Sequence, residues 1–146
     1  MTTHGDALSA QAPATDALAR AIARRVRSAG DHETALPMLS LHRRDAPTEP
    51  MPCIYPLSLI LTTQGDKRVT AGDKVLDYVP GQSMLATIDL PVISHVTRAS
   101  KQRPYLGLLL KLDARAVATG SFGLEITREN CWVQILFGVK LRKPLN

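Results

Sequence analysis

A chain of 146 residues that is 45% hydrophobic suffices for one domain around one core, because domains of about 100 to 150 residues are the commonest size. Eighteen Lys and Arg against 13 Asp and Glu leave a net charge of +5, too dispersed to be a nucleic-acid footprint by itself. Two cysteines, Cys53 and Cys131, lack paired or metal-type spacing, no apolar run reaches the ~18 residues of a membrane span, and MTTHGDALSAQAP is no secretory signal, so a cytoplasmic protein without membrane contact is expected.

Residues 1–14 are rich in Thr, Ala and Ser without periodicity and are expected to be disordered. Thr15 or Asp16 can cap a helix in which Leu18, Ile22 and Val26 fall four apart, with Ala21 and Ala29 beside them and Gly30 as the stop. Arg20, Arg24, Arg25 and Arg27 take the other side, which leaves the apolar stripe to pack on the rest of the domain. Met38, Ser40 and His42 then alternate with Leu39, Leu41 and Arg43 as in a strand. Pro47, Pro50 and Pro52 make 45–52 a rigid loop without regular structure. The sequence LSLILTTQ, residues 57–64, is the most apolar strand and reads as central, covered on both faces.

Residues 64–91 organise the domain. Gln64-Gly65-Asp66 and Ala71-Gly72-Asp73 place small residues where hairpins need positive φ, and Val79-Pro80-Gly81-Gln82 pairs a fixed φ with a free one. Between these turns Val69, then Leu76 and Tyr78, then Met84, Ala86 and Ile88 fall at the alternate positions of short strands. On this reading Lys67 and Arg68 decorate the barrel rim and Tyr78 is part of its wall. Residues 92–98 and 105–112 read as further strands, the second also central, joined by a polar turn over 99–104. Asp113 can cap a helical turn through Ala114, Ala116, Val117 and Ala118. From Thr119 the pattern changes: Gly120, Gly123 and Gly138 interrupt it, Trp132, Phe122 and Phe137 cluster here, and Ile126, Val133, Ile135, Leu136 and Val139 suit a strand or a partner-seeking segment. Turn signals about every ten residues between short strands predict an all-β sandwich or barrel.

Chemical signatures are sparse. Metal-binding barrels of this size place two His one residue apart, a Glu soon after and a third His on a later strand. His4, His32, His42 and His95 are isolated, so no metal is expected. No G-x-S-x-G elbow and no glycine-rich phosphate loop is present. Asp66, Asp73 and Asp77 lie close together, but the first two sit at turns, where Asp stabilises the backbone locally. No catalytic residues are therefore nominated, and binding fits better than catalysis.

Seven short motifs follow one another in order. They are Tyr55-Pro56-Leu57-Ser58, Gln64-Gly65-Asp66-Lys67-Arg68-Val69, Gly72-Asp73, Tyr78-Val79-Pro80-Gly81, Asp89-Leu90-Pro91-Val92, Ala99-Ser100 with Pro104-Tyr105, and Leu110-Lys111-Leu112-Asp113. In this order and spacing, residues 37–118 resemble the N-terminal domain of AraC-type transcriptional regulators. The resemblance implies a mainly β fold, a cupin-like double-stranded β-helix (jelly roll) with an N-terminal helix and a short C-terminal helical turn. It implies a regulatory domain over 15–118 that senses a small-molecule effector, forms a homodimer, or both, with no cofactor and no enzymatic activity. DNA would be reached only through a C-terminal helix-turn-helix domain, and no such pattern follows Asp113. The family would continue with helices there, so 119–146 is expected to be an atypical tail, the product of a truncated or frame-shifted gene.

A small barrel holds a ligand, where it holds one, among its inward side chains. Alternation nominates Leu59, Leu61, Tyr78, Met84, Ile88 and Leu108 as ligand-binding. Cys53, between Pro52 and Ile54, is nominated for redox or electrophile sensing; it is otherwise a small apolar filler, since no adjacent basic residue stabilises a thiolate. The alternative is a small cupin-type enzyme or carrier built on His42 and His95 with an acidic neighbour. A third reading is a basic adaptor that binds nucleic acid through the arginine-bearing helix.

Overall fold

The computed structural model of the protein describes residues 3–86, 90–113, 115, 133–137 and 140–142. One helix, α1 (Thr3–Arg25), precedes the strands β1 (Gly30–Glu33), β2 (Leu39–Arg44), β3 (Met51–Tyr55), β4 (Ser58–Gln64), β5 (Asp66–Ala71), β6 (Lys74–Tyr78), β7 (Ser83–Ala86), β8 (Leu90–Arg98), β9 (Tyr105–Lys111), β10 (Val133–Phe137) and β11 (Lys140–Arg142). Seven strands form one sheet in the order β1-β2-β9-β4-β7-β10-β11, and four form a second in the order β3-β8-β5-β6. All pairs are antiparallel except β7 with β10, which run parallel. The fold is thus mainly β, with two sheets in a sandwich or jelly-roll arrangement.

The main core lies between the sheets. Tyr55, Val69, Ala71, Leu76, Tyr78 and Val92 from the smaller sheet meet Ile60, Met84 and Ala86 from the larger one. A second core forms on the outer face of the larger sheet, where Ala19 and Ile22 of α1 and Val26 just past its end pack on Leu41 of β2 and Leu106 of β9. This is the stripe expected from the four-residue spacing; Ile22 and Val26 are each only 2% exposed. Arg43 ties the end of the helix to the sheet, its Nη1 donating to the Val26 carbonyl at 3.0 Å while its Nε donates to Asp45 at 2.8 Å. A cation is well placed at that end, where carbonyls lack intrahelical partners.

Three expectations need correction. The helix starts at Thr3 rather than Thr15, so the residues expected to be disordered up to Ala14 are helical from Thr3 on. Ala7, Leu8, Ala10, Gln11 and Ala12 are strong helix formers, and absence of an amphipathic period does not prevent a helix. Residues 51–55 form β3 although Pro52 was expected to forbid a strand there. β3 pairs only with β8, and an edge strand tolerates a residue that cannot donate to a second neighbour. Gly30 does not stop the helix but opens β1, which pairs with β2.

Of the expected hairpins only the one at Gly72 forms, between β5 and β6; Gly65 and the Val79–Gln82 turn instead carry the chain from one sheet to the other, because β4 and β7 lie in the larger sheet and β5 and β6 in the smaller. Gly65, Gly72 and Gly81 all have positive φ. At Gly65 (φ 78°) a side chain is also barred by space, because a Cβ would lie 2.6 Å from the Arg98 carbonyl oxygen. Arg115 N–H donates to Asp113 Oδ1 at 2.9 Å, the capping contact expected of Asp113. The remainder of that expected helical turn, and Thr87, Ile88 and Asp89, lie outside the described residues.

Candidate functional site

β5 shows how the site is built. Its residues alternate, Lys67, Val69 and Ala71 toward the opposite sheet and Arg68 toward solvent. Arg68 Nε donates to Asp77 Oδ1 at 2.7 Å across the β5–β6 hairpin, on the exposed face as expected. Lys67 does not decorate the rim. It enters the interior, its Nζ 5.2 Å from the centroid of the Tyr55 ring and 5.9 Å from that of Tyr105. Both distances allow cation–π attraction. Burial acts to lower the pKa of the ammonium, but the Tyr105 and Tyr55 phenols outweigh it and hold Lys67 above its ordinary value.

The two rings are fixed by their own contacts. Tyr55, at the end of β3, donates its hydroxyl to Ser94 Oγ of β8 at 2.9 Å. The Tyr105 hydroxyl lies 3.2 Å from Thr62 Oγ1 of β4. Gly107, two residues along the same strand, is required by that ring: a Cβ there would lie 2.6 Å from the Tyr105 hydroxyl and 3.0 Å from the Leu61 carbonyl oxygen. The third tyrosine, Tyr78, stands opposite Lys67 in the β5–β6 register. Its hydroxyl is buried without a hydrogen-bond partner among the described residues, and burial, reinforced by Tyr55, raises its pKa.

Around Lys67 lies a cavity of about 320 Å³ between the sheets. Ile60, Val96 and Leu109 line its apolar part, and Cys53, a free thiol, borders it as well. At another side stand Asp31, His42 and Arg44, from adjacent strands β1 and β2. Asp31 Oδ1 accepts from His42 Nδ1 and from Arg44 Nη2, each at 2.7 Å. Ser40 Oγ is 3.0 Å from His42 Nε2. With Asp31 accepting at Nδ1–H and the Ser40 hydroxyl donating to Nε2, the imidazole is satisfied in its neutral form. Its environment agrees, since burial lowers the pKa of His42 and outweighs the opposing pull of Asp31. Burial would raise the Asp31 carboxyl, but its hydrogen bonds to His42 and Arg44 lower it to about 2. With His42 neutral, Arg44 is the charged partner. The Pro-rich loop closes the edge of the cavity, with Thr48 N–H donating to the Val96 carbonyl at 3.0 Å and Val96 N–H to Thr48 Oγ1 at 2.8 Å.

The nominated residues divide among several places. Leu108 lies on a strand that borders the cavity, but its side chain packs on the outer face against the α1 cluster. Tyr78 and Met84 lie in the intersheet core. Leu59 and Leu61 pair with Leu110 and Leu108 on the outer face, whereas their neighbour Ile60 faces inward and lines the cavity. Ile88 lies outside the described residues. Cys53 shares the cavity with Lys67, so a cation does stand in its neighbourhood, contrary to the sequence reading. His42 and His95 both border the cavity, but His42 is bound to Asp31, and His95 stands opposite Arg68 in the β5–β8 register. Among the described residues no group of three or more His, Cys, Asp and Glu is placed to hold a metal ion.

Lys67, Tyr55 and Tyr105 were missed, although one signal for Lys67 was available. It stands two and four residues before Val69 and Ala71, in phase with the buried face.

No helix among the described residues is long and apolar enough to cross a membrane. Neither the curated proteins nor the solved structures contain a significant match to the chain. The family profile described as the AraC-type transcriptional regulator N-terminus matches residues 35–121, from just before β2 to beyond β9. That span includes both tyrosine rings, Lys67, Cys53, His42 and every strand of the smaller sheet. The chain therefore belongs to the family of AraC-type transcriptional regulator N-termini.

Proposed function

We propose that this regulatory domain is an effector sensor, and that a small molecule binds between its two sheets in the cavity bounded by Lys67, Tyr55, Tyr105 and His42. One observation carries this reading. The interior of the sandwich holds a cavity of about 320 Å³, at the small end of the range for ligand sites, with an apolar side and a polar side that both face it. The domain does no chemistry on its ligand; occupancy is its signal. β2 is suited to pass that signal on, because His42 and Arg44 face the cavity while Leu41 and Arg43 hold α1. Homodimer formation belongs to the same proposal, with sedimentation as its measurement.

Thermal unfolding against a panel of small metabolites tests the sensor role. A ligand present at a hundred times its Kd adds about 2.7 kcal/mol to stability and raises Tm accordingly. Cys53→Phe projects bulk into the cavity and should abolish that rise while the domain remains folded. A rise equal in both proteins would place the ligand elsewhere.

A thiol-sensing role for Cys53 is a second reading, favoured by the shared cavity with Lys67. Retention of the full response to an electrophilic inducer by Cys53→Ser, in a regulator carrying this domain, would remove it.

A further inference from the structure

We propose that the ligand of this cavity is a small monocarboxylate with an apolar body, its carboxylate paired with Lys67 Nζ between the rings of Tyr55 and Tyr105. The inference rests on the effector-sensor reading and adds the chemical class of the ligand. Lys67 is an inward cation that has no carboxylate partner within ion-pairing distance among the described residues. The acids nearby are engaged or turned outward: Asp31 with His42 and Arg44, Asp66 with Arg98 at 2.9 Å, and Glu49 exposed at the cavity edge. A desolvated charge without a counter-charge is costly, and two aromatic faces replace only part of its hydration. A bound carboxylate supplies the missing partner.

The rest of the cavity narrows the class. Ile60, Val96 and Leu109 suit an aliphatic or aromatic body. Glu49 on its border opposes a second negative charge, and Arg44, the cation there, is already paired with Asp31, which disfavours dicarboxylates and phosphate esters. Lysine acts as a point charge toward one anionic group, whereas a phosphate clamp more often uses the arginine fork.

Isothermal titration of the full chain at pH 7 and physiological salt provides the test. The probes are benzoate and hexanoate, their amides, and benzylamine and hexylamine. At least one acid should bind, its amide roughly tenfold to a hundredfold more weakly, and the amines not at all. Lys67→Met should lose the preference for acid over amide while keeping its circular dichroism and Tm, since an apolar isostere is tolerated where a lone charge was buried. An amide that binds as tightly as its acid overturns the anionic class and leaves the sensor reading standing. Absence of binding by both acids overturns the inference as well. The acid–amide comparison is made on the unaltered protein, so it decides the matter even where the variant fails to fold.

Discussion

The two faces of the seven-stranded sheet are built from the same strands and do opposite work. On the outer face Leu39 and Leu41 of β2, with Leu106 and Leu108 of β9, meet α1 in an apolar contact. On the inner face the alternate residues of β2 are Ser40, His42 and Arg44, and the inner residues of β9 begin with Tyr105 and Gly107. In most sandwiches the inner face is the dry one. Here polarity is concentrated inside at one end of the intersheet space, while a helix makes the outer face dry. On the proposed function, stability and recognition then fall to opposite sides of one sheet.

That division can be broken from either side. Ile22→Ala removes a buried side chain from the helix–sheet contact and should cost about 2 to 5 kcal/mol, measured by denaturant unfolding, while ligand specificity stays as it was. Gly107→Ala should cost less, on the order of 1 to 3 kcal/mol, because the new methyl displaces the Tyr105 ring rather than leaving a void. It should nonetheless perturb the cavity more than Ile22→Ala does; the rate of chemical modification of Lys67, read by mass spectrometry, would register the loss of its aromatic cover. If both variants lowered stability and left Lys67 equally protected, the assignment of roles to the two faces would be wrong.

The smallest expected effect concerns pH. His42 has a folded-state pKa below its unfolded value of about 6.5, so the unfolded chain takes up a proton there before the folded one does. The contribution of His42 is therefore fully present above about pH 6.5 and lost as pH falls toward its folded pKa, with a slope of at most about 1.4 kcal/mol per pH unit. His42→Gln should flatten the dependence of Tm on pH between about 7 and 5 relative to the unaltered protein. Asp31 acts in a separate window: its contribution is present above about pH 3.8 and fades toward pH 2. An unchanged slope in His42→Gln would show that the imidazole titrates alike in both states.

The outer face was legible in the sequence because it obeys the ordinary rules. Leu18, Ile22 and Val26 keep a helical period, and glycines mark the turns where φ is positive, though only Gly72 closes a hairpin. The inner face was harder to read because its polar residues break the ordinary pattern. In LSLILTTQ both faces carry apolar residues, but Ser58 and Thr62 point inward with Ile60, so choosing the leucines as the interior selects the wrong side. A slip of one residue moves every side chain to the other face. Lys67 was read as surface by its charge although its phase with Val69 and Ala71 places it inside. Tyr55 was hidden by Pro52, which made an edge strand look like a loop. Asp31 escaped notice because Gly30 resembled a helix stop and so concealed β1.

The parallel addition of β10 to β7 has a consequence for association. Without Val133–Phe137, β7 would be the edge of the larger sheet, with a row of backbone donors and acceptors open to any extended segment. Peptides that join sheets from outside use such a row. In this chain its own tail takes that position and doubles back as β11, so the template for strand exchange between copies is filled from within.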